Sequence, residues 1–170
     1  MKKFANYLTI SMLIISTSCG VSETEESTPK SNDNPVLTKD ITTDKVWKEF
    51  TVRGIGNTMA EMKFDIGNIT VDEGSWVRIT LINEGIDIAM QHNIVFINYG
   101  TRKEIASQAI SAGSSMKYVP KNDNVIAASD LAMPGETVVL EFEAPSKGNY
   151  EYLCTYPGHS EIMRGYFFVK

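Results

Sequence analysis

Cys154-Thr155-Tyr156-Pro157-Gly158-His159-Ser160-Glu161-Ile162-Met163 is the stretch that organises the rest of the chain. It places a thiol, an imidazole and a thioether within one loop. A strand-like run, Tyr150 to Cys154, leads into it, and another, Arg164 to Lys170, leads out. Pro157 and Gly158 favour a tight turn just before His159. A loop joining two strands in this way can fold back so that Cys154, His159 and Met163 converge on one point. A second histidine lies far upstream, in Met90-Gln91-His92-Asn93, and the chain contains no other histidine.

Outward from the loop the pattern is β. Trp76 to Asn83 alternates, with Val77, Ile79 and Leu81 on one face and Trp76, Arg78, Thr80 and Ile82 on the other. Thr58 to Phe64, Ile69 to Val71, His92 to Asn98 and Thr137 to Phe142 read as further strands, with Met62 and Phe64 sharing one face and Ile94 and Phe96 another. Turn residues separate them, as in Asp65-Ile66-Gly67-Asn68 and Asp72-Glu73-Gly74. The expectation is an all-β sandwich. One segment breaks the pattern. Glu104 to Ser115 carries Ile105, Ala109 and Ile110 at helical spacing and reads as a short helical flap.

The 170 residues divide into three parts. Residues 1–18 have the order of an export signal: basic Lys2 and Lys3, an apolar run from Tyr7 to Ile15, then Ser16, Thr17 and Ser18. Cys19 follows, and the arrangement resembles a bacterial lipoprotein signal in which that cysteine is lipidated, although Ser16 stands where leucine is preferred. Residues 19–45 are rich in Ser, Thr, Asn, Asp, Glu and Pro, cannot bury enough apolar surface to fold, and read as a flexible tether. Residues 46–170 are the folded domain. Without Lys2 and Lys3, 14 basic residues face 21 acidic ones, a net charge of −7. That balance, with no basic cluster, argues against nucleic-acid binding.

Cysteine use sharpens the chemistry. With Cys19 lipidated or removed, Cys154 is the sole thiol of an exported domain, where a free thiol is a liability. Each candidate residue alone has an ordinary explanation: a core cysteine, a core methionine, a structural histidine. Together they are a soft thiolate, two imidazoles and a weak thioether, the donor set of a one-electron copper site. Two histidines cannot also build the second centre of a multicopper oxidase or nitrite reductase. The loop lacks the second cysteine of a binuclear site, and no Ser/His/Asp set is free, so the reading is not an enzyme.

The segments Cys154–Met163 and Met90–Asn93 resemble the azurin and auracyanin cupredoxins, type 1 (blue) copper proteins, over roughly residues 58–170. The resemblance implies an eight-stranded Greek-key β-sandwich with a flap. It also implies one copper ion cycling between Cu(I) and Cu(II), with His92, Cys154 and His159 as equatorial ligands and Met163 as axial ligand. Asn93 and Thr155 would brace the thiolate region. Azurins carry glycine before the first ligand histidine and use its carbonyl as a distant fifth contact. Here Gln91 holds that position, so its carbonyl is a candidate axial group. The disulfide of azurins has no counterpart in this domain. His159 would be the ligand nearest solvent, within an apolar docking patch of Met90, Met133, Pro134, Tyr156 and Gly158. The implied role is electron carriage by a monomer in the periplasm or cell envelope, lipid-anchored to a membrane. Expected partners are c-type cytochromes or a terminal oxidase or reductase. Copper storage or delivery would use the same ligands, but the remaining methionines are scattered rather than clustered.

Overall fold

Alternation along Trp76–Asn83 is the simplest entry into the architecture. A computed structural model describes residues 45–170; the expectations for the signal, Cys19 and the tether up to residue 44 lie outside the described residues. In chain order the elements are β1 (Trp47–Ile55), β2 (Lys63–Phe64), β3 (Asn68–Val71), β4 (Trp76–Asn83), β5 (Val95–Asn98), α1 (Arg102–Ala112), β6 (Val125–Ala128), β7 (Thr137–Glu143), β8 (Gly148–Leu153) and β9 (Arg164–Val169). Eight strands thus have four or more residues, and β2 has only two. On β4, Val77, Ile79, Leu81 and Asn83 are buried and the alternate residues are half-exposed, as a strand with one wet face requires.

The strands form two sheets, β2-β1-β4-β7 and β3-β9-β8-β5-β6. β1 runs parallel to β4, and β3 parallel to β9; the other pairings are antiparallel. The inner faces meet in an aromatic cluster. Phe96 lies 4.7 Å from Phe142 of the opposite sheet and 5.0 Å, edge-on, from Phe167. Tyr152 completes the group at 5.5 Å from Phe96. Such tilted pairs add to the burial term. On the outer face of the four-stranded sheet, Arg78 bridges Glu141 and Glu49 and lies over the Trp47 ring.

Three sequence readings need correction. Residues 58–61 form a turn, with the amides of Glu61 and Met62 both donating to Thr58 O, so only Lys63–Phe64 of the expected Thr58–Phe64 strand is paired. The expected His92–Asn98 strand begins at Val95, and both its faces are covered: Ile94 and Phe96 face the core, while Val95 and Ile97 meet Ile105 and Leu153. The cause is α1, whose buried Ile105 packs on the outer face of the five-stranded sheet. The flap itself is one residue pair longer at its start than expected, Arg102–Ala112, followed by a single 3₁₀ turn at Ser114–Met116. Finally, β1 and β6 were not legible as individual strands, though β1 is the longest in the domain.

Candidate metal centre

One end of the sandwich collects the donors. Cys154 follows directly on β8, and its amide donates to Met163 O at 2.9 Å, closing the loop at its base. Within the loop, His159 N–H donates to Tyr156 O, and the amides of Ile162 and Met163 both donate to His159 O. The loop is therefore a pair of consecutive backbone turns rather than a free excursion. Gly158 sits at φ 85°, in the left-handed region that glycine accepts without cost, which lets the chain reverse just before His159.

His92 arrives from elsewhere in the fold. It precedes β5 and is clamped to Ala132 by a reciprocal pair of backbone hydrogen bonds, 3.1 and 2.8 Å. Asn83 extends this clamp. Its buried Nδ2 donates to Met90 O (2.6 Å) and Ala132 O (3.0 Å), and its Oδ1 accepts from Gly85 N (2.9 Å). One side chain thus ties together the segments on both sides of His92. Its signal in the sequence was a polar residue at the inward phase of an otherwise apolar alternation. Gly54 on β1 was also missed. A Cβ there would lie 2.8 Å from His92 Cδ2 and 3.5 Å from Met163 Cε, so its bare backbone makes the space that both side chains occupy.

The donor atoms form a compact triangle. Cys154 Sγ is 3.8 Å from His159 Nδ1 and 4.0 Å from His92 Nδ1, and the two Nδ1 atoms are 3.3 Å apart. All three residues are buried, His159 at 1% exposure. The point equidistant from these atoms lies about 2.2 Å from each, within the range of metal–nitrogen and metal–thiolate bonds. Met163 is fully buried, its methyl end and the His92 ring both lying against Gly54, and Gln91 O lies 4.0 Å from Sγ. His92 Nε2 is buried with no hydrogen-bond partner, so this ring is oriented by packing and by its backbone clamp.

Asn93 and Thr155 are hydrogen-bonded to one another. Thr155 N–H donates to Asn93 Oδ1 at 2.8 Å, and Asn93 Nδ2 donates to Thr155 Oγ1 (2.8 Å) and to Lys117 O (3.0 Å). This links the strand entering from His92, the loop leaving Cys154 and the end of the flap. Burial sets the proton affinities. It pushes the Cys154 thiol up to about 12, against hydrogen bonds from the Asn93 and Tyr156 backbone. Burial, and then the proximity of His159, lowers His92 to about 4; burial alone lowers His159 to about 4. The imidazoles are thus neutral, ready donors at neutral pH, while the thiol needs a cation to ionise it.

The expected docking patch is partly reassigned. Met133, Pro134 and Tyr156 are half-buried and Gly158 is exposed, but Met90 is 3% exposed and belongs to the core. Its side chain lies under Gly85, where a Cβ would meet Met90 Cβ at 2.7 Å, because Asn83 draws the Met90 backbone inward. Exposed apolar residues at this end include Ile86 (82%), Ile88 (69%), Ile162 of the ligand loop (45%) and Met59, whose methyl abuts Gly158. Ile86 N–H donates to Asn57 Oδ1, joining the two loops that carry them. His159 is buried at 1% exposure, against 0% for His92 and Cys154, and its ring packs on Tyr156, with centroids 4.8 Å apart. Among the described residues no helix is long and apolar enough to cross a membrane.

Residues 50–170 match the family model described as copper binding proteins of the plastocyanin/azurin family. The chain is 38% identical over 119 residues to auracyanin-A of Chloroflexus aurantiacus, covering 68% of this chain and 72% of that protein. The solved structure of auracyanin A, a blue copper protein from the same organism, superposes with a TM-score of 0.66 at 34% identity, covering 73% of this chain and 99% of that one. The chain is also 27% identical over 143 residues to outer membrane protein H.8 of Neisseria meningitidis, covering 82% of this chain and 64% of that protein.

Proposed function

The chain belongs to the plastocyanin/azurin family of copper-binding proteins, and on that footing we propose that it carries single electrons between redox proteins of the cell envelope. Copper is its cofactor, and the His92, Cys154 and His159 cluster fits a type 1 site. Bound copper supplies a one-electron couple between Cu(I) and Cu(II). The protein's part is to hold the donors in one geometry for both states. In this reading His92 and His159 would present neutral Nδ1 atoms, Cys154 would supply the thiolate, and Met163 would add a weak thioether. The Gln91 carbonyl lies 4.0 Å from Cys154 Sγ and would be the candidate for a distant further contact. Asn93 and Thr155 keep the two ligand segments in register.

The single observation that carries this proposal is the donor triangle, already at bonding dimensions and sealed from water. A buried site whose donors are already gathered suits repeated electron exchange more than copper delivery, for which an accessible, exchangeable site is the natural design. Met59, Ile86, Ile88 and Gly158 offer an apolar face beside the His159 loop, suited to brief, low-area docking. Partners of the c-type cytochrome or terminal oxidase and reductase kind fit that use, with the protein acting as a monomer and not as an enzyme. Cys19 would anchor it to a membrane, and the H.8 relative's description as an outer membrane protein supports an envelope address.

The decisive experiment mixes the copper-loaded full-length protein with a reduced c-type cytochrome under stopped flow. Rapid, reversible electron exchange is expected. Loss of copper to an apo-acceptor without electron exchange would replace the carrier reading with delivery. The Cys154→Ser protein should lack the thiolate-to-copper charge-transfer colour, and a colourless copper-loaded parent protein would overturn the type 1 assignment. Cys19→Ser should move the protein out of the membrane fraction; retention there would remove the lipid anchor.

A further inference from the structure

Helix α1 is more than a cover for the sheet. Its buried Ile105 packs against Leu153, the residue before Cys154, and against Val95, three residues after His92. Its first residue, Arg102, points toward the ligand loop and is only 16% exposed. The guanidinium reaches Glu161 Oε2 at 2.7 Å and Ser160 O at 3.4 Å. Ser160 and Glu161 lie between His159 and Met163, in the turn whose Ile162 and Met163 amides donate to His159 O. Arg164 Nε adds a hydrogen bond to Glu161 O at 3.3 Å. The part of the loop that delivers a ligand at each end is therefore gripped from outside the sandwich by a residue on the flap.

We infer that Arg102 is a positioning residue for the copper site: by holding Ser160 and Glu161 against α1, it fixes the turn that aims His159 and Met163. This inference rests on the copper-carrier reading for its consequence, but its structural part stands without the metal. Arg102 touches no donor atom. It acts through one backbone carbonyl and one carboxylate, both reached from the same guanidinium nitrogen, Nη1, which a rigid planar group holds in place more firmly than the flexible stem of a lysine holds its ammonium. Glu161 is 65% exposed, so the ion pair by itself is weak, and the constraint comes from combining it with the carbonyl contact and a mostly buried guanidinium. A looser turn would let the His159 and Met163 donors relax differently in the two copper states, which slows electron exchange.

Arg102→Ala and Arg102→Lys test this in the full-length protein, with Lys48→Ala, which removes an ion pair on β1, as a control. Amide exchange at Ile162 and Met163 is measured in apo and copper-loaded protein, together with the electron self-exchange rate and the copper hyperfine splitting. Arg102→Ala should speed exchange at both amides roughly fivefold, the scale of a half-exposed pair, slow self-exchange severalfold and alter the hyperfine splitting. Arg102→Lys should fall between, and Lys48→Ala should change none of these. Wild-type amide exchange and self-exchange in Arg102→Ala would overturn the inference. So would an equal change at Val95 and Leu153, since that reports general loosening of α1 rather than of the turn. If the parent protein is not blue the carrier reading fails, while amide exchange in the apo protein still decides the role of Arg102.

Discussion

Filling this site should release one proton at neutral pH, and the count follows from the burial of each donor. The perturbation is titration of the apo protein with Zn(II), which is redox-silent, and then with Cu(II). At pH 7.5 the Cys154 thiol, raised to about 12, is protonated in every molecule, whereas His92 and His159, lowered to about 4, are both neutral. A metal takes thiolate and neutral imidazole, so only Cys154 has a proton to lose. Near pH 4 each imidazole is half-protonated, and the count should climb to about two. Between these regimes apparent affinity should rise about tenfold per pH unit, because one proton is exchanged. Isothermal calorimetry in buffers of different ionisation enthalpy reads the number directly. No proton released at pH 7.5 would mean that Cys154 is not a ligand or is already ionised. Two or more would mean that a histidine carries a proton in the apo site. Either result would refute the burial argument.

Asn83→Ala removes three buried hydrogen bonds around His92 and should destabilise the domain by about 3 kcal/mol, at roughly 1 kcal/mol each; urea denaturation of the apo protein that shifts by under about 1 kcal/mol would contradict the clamp. Gly54→Ala should displace the His92 ring, visible as a changed copper hyperfine splitting and weaker copper binding, because its Cβ would sit 2.8 Å from Cδ2; an unchanged spectrum and affinity would show that β1 yields instead. Apo stability should fall as pH drops from 6.5 to about 4, since the unfolded histidines take up protons that the folded ones refuse, and again as pH rises from 9 to about 12, where only the unfolded thiol ionises. A urea midpoint that stays flat between pH 4 and 6.5 would show that the two imidazoles are not buried as described.

Much of the site was local and therefore legible. The spacing from Cys154 to Met163 confines three donors to ten residues, and Pro157-Gly158 turns the chain between them, so their convergence needs no knowledge of the rest of the fold. The phase of β4 was equally plain, because alternation repeats every two residues and one face is buried. Asn93 and Thr155 were reachable only through the family resemblance, since nothing in their spacing says that they meet. What neighbours decide was not legible. Whether β5 buries one face or two depends on α1 arriving from outside the sheet. Met90 and Ile88 are both apolar and two residues apart, yet one is core and the other surface, because Asn83 seven residues earlier holds the Met90 carbonyl. Sequence alone determined which atoms could bind a metal, since donor chemistry and loop length are properties of the residues themselves. Only the tertiary structure decided that the donors stand about 2.2 Å from a common point and that water is excluded. Those distances depend on the clamp, the glycine gap and the flap, all supplied by segments distant in the chain.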